Sequence, residues 1–490
     1  MLFNSYEFIF IFLPITLIGY FVLSKWRLTQ VAIVWLLAAS LLFYGYWKVS
    51  YLLLLLISTA GNFCFGRAIS LSQPSSMIAK ILLWAGICFN LGILGYYKYA
   101  AFFIASINYF SSNQLSVPGI TLPLAVSFYS FTQIAYLVDS YRGETKDSSY
   151  NLTSYSLFVV FFPQLIAGPI LRHNELIPQF SRLRNLAFSH KNMAMGVTLF
   201  TLGLAKKVAI ADNISPWVAP VFENASAVGF LEAWVGALSY TLQLYFDFSG
   251  YSDMAIGLGR MFNLHLPVNF NSPYKANSII DFWRRWHITL SSFLRDYLYI
   301  PLGGNRLGEG RRYINLLITM LLGGLWHGAG WTFVIWGGMH GVFLIINHGW
   351  RKLNIALPKV LGWAITFLSI IISWVFFRAH TLHDGIEISQ AMLGIKGVTL
   401  LNEFQNLLSW LTVLGVGFES WQEFDYLPLN YKQSLVTLVL LLLVTVLLPN
   451  TQQIMQNFKP TLWWMVLISG IAVFSLLSLN QVSEFLYFQF

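Results

Sequence analysis

Charge is scarce in this chain. Of its 490 residues only 10% are Asp, Glu, Lys or Arg, and 57% are hydrophobic. Globular chains are about 25% charged and roughly 45–50% apolar, glycine included. Mean hydropathy is +0.63. This excludes a soluble enzyme and a disordered chain. Cysteine is scarcer still. Cys64 and Cys88 are the two, which excludes a secreted disulfide scaffold. Both fall inside apolar runs, where a thiol is expected as buried core filling. The glycine-rich turn Pro301 to Arg306 has no Gly-Lys-Ser/Thr ending, so it is not a nucleotide phosphate loop. His327, His340 and His348 miss the i, i+4 spacing and have no carboxylate beside them, so no metal site is expected.

What is present is long apolar runs and an excess of basic residues. The net charge of +9 and pI of 9.3 do not imply nucleic acid, because a membrane chain gathers Lys and Arg on its cytoplasmic loops. No basic residue precedes the first run, Phe8 to Leu23, and Lys25 and Arg27 follow it. The expected arrangement is an uncleaved N-terminus outside and Lys25 inside. Later runs lie near 31–47, 51–70, 79–97, 117–138, 152–171, 193–211, 228–246, 313–335, 335–348, 359–377, 434–448 and 461–480. With about 20 apolar residues needed per span, the reading is an all-α, polytopic transmembrane protein of about 11–13 membrane-embedded helices, some re-entrant or interfacial. The 18 Trp suit interfacial belts or a walled tunnel.

Two stretches break the apolar pattern. Residues 251–312 hold eight basic residues (Arg260, Lys275, Arg284, Arg285, Arg295, Arg306, Arg311, Arg312) against four acids, a net of +4. Residues 381–432 hold six acids against Lys396 and Lys432, a net of −4. The first is expected on the cytoplasmic side and the second as an extracytoplasmic cap. The domain reading is a membrane domain over 1–380, the cap over 381–432, and C-terminal transmembrane helices over 433–490.

The basic stretch is also rich in aromatics. Ser278 can cap a helix with Asp281 in its first turn. Phe282 to Tyr299 then reads as one amphipathic helix with Trp283, Trp286, Leu290, Phe293 and Leu294 at helical spacing. Taken alone, it is an interfacial helix on the inner leaflet. His287 is its one group suited to proton transfer near neutrality. Downstream, His327 sits among glycines inside the apolar run Leu321 to Trp331. A polar side chain at that depth either serves a purpose or bonds a neighbouring helix. His340, in Trp336 to Gly341, is a second functional group or, more simply, a helix-packing residue. Asp247, Ser249 and Asp253 miss the spacing of a calcium loop and are expected to cap or bond the backbone.

Several segments together resemble the membrane-bound O-acyltransferase family, within it the bacterial alginate O-acetyltransferase branch, with teichoic acid D-alanyl transfer as a sister branch. They are Asp247-Phe248-Ser249-Gly250-Tyr251-Ser252-Asp253, Asn269 to Tyr274, Phe282 to Ser291, Arg295 to Asn305, Gly324 to Gly328, and upstream Pro123 to Gly143 and Phe162 to Ile170. The resemblance spans roughly residues 1–380. It implies acyl transfer from a cytoplasmic thioester to a hydroxyl handled on the outer side, through a tunnel. It also implies that the family's near-invariant histidine is His327 and its second histidine is His287.

A hydroxyl is a poor nucleophile, and imidazole is the side chain suited to take its proton at neutral pH. His327 is therefore expected as general base, and His287 as a relay or orienting group. Trp283, Trp286, Trp326, Trp331 and His340 are expected along the tunnel, where indoles exclude water from the thioester. Arg284, Arg285 and Arg295, with Asp296 and Asn305, are expected at its cytoplasmic mouth, where guanidinium groups suit donor phosphates or, equally, lipid headgroups. No cofactor is expected to stay bound. Acetyl-CoA or an acyl carrier protein thioester is the expected donor. An exported polysaccharide is the expected acceptor, with extracytoplasmic acetyltransferase partners, in a bacterial inner membrane. D-alanyl transfer to a wall polymer and transport without chemistry are the competing readings.

Overall fold

A computed structural model describes residues 1–111, 115–145, 150–428 and 431–480. Residues 429–430 of the expected cap and 481–490 of the expected C-terminal segment lie outside the described residues. Among those described, five helices are long and apolar enough to cross a membrane: Phe8–Lys25, Val49–Leu71, Met77–Phe110, His190–Glu223 and Lys359–Arg378. Shorter apolar helices are Thr29–Gly45, Tyr431–Leu447 and Leu462–Leu477. The chain is an all-helical, multi-pass membrane protein whose described strands, Thr399–Leu401 and Gly417–Glu419, pair in parallel.

Proline explains where apolar runs fail to become single helices. The run 152–171 forms Leu152–Val160, stops at Phe161 (ψ 110°), and restarts at Phe162 with Pro163 in its first turn. Pro163 has no N–H to bond the carbonyl four residues back, so a helix does not run through it, and a first turn is where proline is tolerated. The run 117–138 becomes helical only from Val126, after Pro118 and Pro123.

The helices form two compact units. Among the described residues, one comprises those within 1–205, 250–269 and 455–479; the other those within 206–249 and 270–454. In the first, buried Asn62 and Asn90 exchange amide hydrogen bonds of 3.1 and 2.6 Å between Val49–Leu71 and Met77–Leu94. Such pairs join helices where apolar contact gives no preference over lipid. Buried His173 bonds Asp139 at 3.0 Å and Tyr150 at 2.6 Å. Cys64 and Cys88 do not fill the core as expected. Both are exposed, on outward faces of the same two helices. A membrane chain turns apolar groups outward, so an apolar run does not mark burial.

In the second unit, Glu309–His327 and Trp331–Lys352 form a tight helical hairpin. A Cβ at Gly337 would lie 2.2 Å from the Met320 carbonyl, and one at Gly324 the same distance from that of Phe333. Only glycine allows this approach, the small-residue contact used between membrane helices. It fixes the position of His327, the last residue of the first helix.

Candidate active site

The basic, aromatic stretch is not the single interfacial helix expected from its periodicity. It folds as short pieces, Ile279–Trp283, Ile288–Leu294 and a π-helical turn Arg295–Tyr299. At 1.5 Å per residue, a seven-residue helix is about 10 Å long, far less than the roughly 30 Å hydrocarbon core. Ser278 Oγ caps the first piece through the Asp281 amide (3.2 Å), as its sequence suggested. The chain then breaks because tertiary packing outweighs periodicity. Trp286, 2% exposed, stacks on Phe282 at 5.7 Å and meets Phe270 edge-on at 5.1 Å. The next residue, His287, is left-handed, with φ 41° and ψ 55°. A non-glycine residue there stores about 1–3 kcal/mol, which the surrounding packing must hold.

His287 is fully buried. Its ring lies 4.9 Å from Phe248 and 6.2 Å from Trp326, centroid to centroid. His327, 9% exposed, is held by Trp326 at 5.0 Å, Trp336 at 5.1 Å and Phe377 at 5.3 Å. The two imidazoles are 6.4 Å apart. Forty residues of sequence therefore separate two buried imidazoles that the fold makes neighbours.

His340 has a different setting. Trp283 Nε1–H donates to its Nδ1 at 3.3 Å, and Ser373 Oγ lies 3.1 Å from Nε2. Ser373 in turn donates to the Ile370 carbonyl. Both imidazole nitrogens are engaged by protein, in keeping with the packing role. Trp286 and Trp336 both pack against Trp374, at 4.9 and 5.6 Å. Trp331 was expected along the tunnel but is 52% exposed. It begins the helix that follows Gly330, exposed while its neighbour Thr332 is buried. Arg284 is exposed. Half-buried Arg285 pairs with Asp281 at 2.9 Å. Arg295 pairs with Asp296 at 2.6 Å, and Asn305 is exposed in its turn.

Sequence reasoning missed four contributors. Phe270, Trp374 and Phe377 line the cluster, and Ser373 anchors His340. Trp374 and Phe377 belong to Lys359–Arg378, which carries no motif but does place Phe367, Ile370, Ile371, Trp374 and Phe377 at helical spacing on a buried side. Lys207 was missed as well. It is buried, 2.8 Å from Asp212 and 2.5 Å from Asp247. Asp247 is thus one arm of an ion network, more than the cap or backbone partner expected.

His287 and His327 thus share one buried aromatic enclosure inside a multi-pass helical membrane protein. Residues 143–381, which contain both, match MBOAT, the membrane-bound O-acyltransferase family. The chain is 40% identical to the peptidoglycan O-acetyltransferase of Helicobacter pylori, over 100% of this chain and 98% of that one. It is 44% identical to the "probable alginate O-acetylase AlgI" of Pseudomonas aeruginosa, over 85% of this chain and 79% of that one. A teichoic acid D-alanyltransferase of Streptococcus thermophilus is 27% identical over 52% and 68%. The chain belongs to the membrane-bound O-acyltransferase family and is an O-acyltransferase.

Proposed function

We propose that the chain transfers an acetyl group from a cytoplasmic thioester to hydroxyls of an exported polysaccharide, with His327 as general base. The 6.4 Å His287–His327 pair inside the family-matched region carries this reading. As the hydroxyl oxygen attacks the thioester carbonyl, its proton passes to His327. The C–S bond breaks, the C–O ester bond forms, and the proton returns to the departing sulfur. His287 orients the hydroxyl or relays the proton. The indoles keep water, a competing nucleophile, away from the thioester.

Peptidoglycan is the first acceptor to test, because the similarity to a peptidoglycan O-acetyltransferase runs the length of both chains. The gene is deleted and restored in its source cell, and base-labile acetate and D-alanine are measured on purified peptidoglycan and on exported polysaccharide. Acetate that falls with deletion and returns with the gene supports the proposal. Loss of D-alanine alone would favour the D-alanyl reading, and no change in either would remove both.

Arg284 and Arg285 separate donor binding from structure. Arg284 is exposed and Arg285 is tied to Asp281. Arg284→Glu is expected to raise the apparent KM for an acetyl thioester about tenfold with little change in melting temperature, since a charge-assisted phosphate contact is worth roughly 1.5–3 kcal/mol. Arg285→Glu is expected to lower the melting temperature as well, because it faces Asp281 with like charge. A KM unaltered by Arg284→Glu would assign that residue to lipid.

A further inference from the structure

A groove of about 1220 Å³ lies in the first unit, neither His287 nor His327 lines it, and nothing in the acyltransfer chemistry uses it. Its walls come from Leu13–Lys25, the turn after it, the segment 183–188, the length of His190–Ala205 and the end of Leu462–Leu477. Its sides are apolar, with Leu17, Ile18, Phe21, Phe188 and Val197 among them, and Ile18 and Phe188 are more than half or half exposed. Its charged lining residues, Lys25 and Arg27, both lie at one end, and no acidic residue lines it.

That end is built for charge. Arg27 follows the helix C-terminus in the left-handed region, φ 62°, a place where glycine is the low-strain choice. Among the described residues neither Lys25 nor Arg27 makes an ion pair. Arg182 and Arg184 flank the groove residue Leu183 and are exposed. From Leu13 to Lys25 the wall is about 18 Å long at 1.5 Å per residue. That is close to one leaflet of a hydrocarbon core roughly 30 Å thick.

We propose that this groove is a binding site for one anionic phospholipid, its acyl chain along Leu17, Ile18 and Phe21 and its phosphate between Lys25 and Arg27. The charge complementarity and the one-leaflet length select this occupant over a partner helix, which needs no cationic end, and over a zwitterionic lipid, which gains little from two unpaired cations.

Native mass spectrometry of the purified full-length protein, titrated with dioleoylphosphatidylglycerol or dioleoylphosphatidylcholine, tests it. One phosphatidylglycerol is expected to be retained, favoured about thirty-fold for two basic residues near a headgroup. Lys25→Gln with Arg27→Gly is expected to bring the preference close to parity. Glycine suits the left-handed turn, so the double variant keeps the fold. Ile18→Trp, at an exposed wall position, is expected to reduce retention of both lipids. No preference in the unaltered protein, or a preference that survives the double variant, would overturn the proposal. So would displacement by millimolar inorganic phosphate, or a second protein chain copurifying in the groove and released by Ile18→Trp.

Discussion

Replacing His327 with Ala is expected to lower acetyl transfer by about 10²- to 10⁴-fold, the range that a positioned general base contributes. The side chain ends the helix Glu309–His327 and is fixed on three sides by Trp326, Trp336 and Phe377. His340 also packs on Trp336, at 4.8 Å, but Trp283 and Ser373 engage both its nitrogens, so it is not placed to substitute for His327. His327→Gln is the sharper variant. It keeps a hydrogen-bonding group of similar size but cannot take a proton, and it is expected to lose as much as His327→Ala. His287→Ala is expected to lose less, since an orienting or relaying group contributes geometry while the base remains. The measurement is ester-linked acetate on the polymer in complemented cells, with protein level checked by immunoblot and melting temperature by thermal shift. Normal acetate with His327→Gln at normal protein level would remove His327 as base. Equal and complete losses from His287→Ala and His327→Ala would point to two imidazoles acting as a single unit.

How much of this site was legible in sequence depended on the length scale of the contact. His327 and its glycines announced themselves because a histidine in an apolar run is costly in lipid. The Ser278 cap and the Asp281 first turn were readable because capping acts over three residues. The kink at His287 was not. Periodicity joined Phe282 to Tyr299 into one helix, while the structure broke it to stack Trp286 against Phe282, Phe270 and Trp374. Phe282 is near in sequence, but Phe270 and Trp374 lie more than ten and more than eighty residues from Trp286. Trp374 and Phe377 were invisible for the same reason: an aromatic on a membrane helix reads alike whether it faces lipid or core. Cys64 and Cys88 failed in the opposite direction, since a rule learned from water-soluble cores places them inside and a membrane chain turns them out.

The ion network at Lys207 leads to the second large effect. Lys207, Asp212 and Asp247 are each 5% exposed or less, and the ammonium lies 2.8 and 2.5 Å from the two carboxylates. Lys207→Met keeps the length of the side chain and removes its charge, leaving two buried carboxylates without that cation. Breaking a buried pair in this way costs about 3–5 kcal/mol, because the remaining charge has lost its compensation. A sharp fall in folded protein and in melting temperature is expected. Adding Asp212→Asn and Asp247→Asn to Lys207→Met removes the stranded charges, and the triple variant is expected to recover most of the melting temperature. A triple variant no more stable than the single one would show that the network does not work through charge compensation. Activity should not recover in parallel. Asp247 precedes Phe248 on the helix Phe230–Met261, and the Phe248 ring lies edge-on to His287 at 4.9 Å. A triple variant that folds but loosens that helix turn lets His287 leave its strained left-handed geometry. The expected signature is restored stability with depressed kcat and little change in donor KM, because the damage lies in placing an imidazole rather than in binding the thioester.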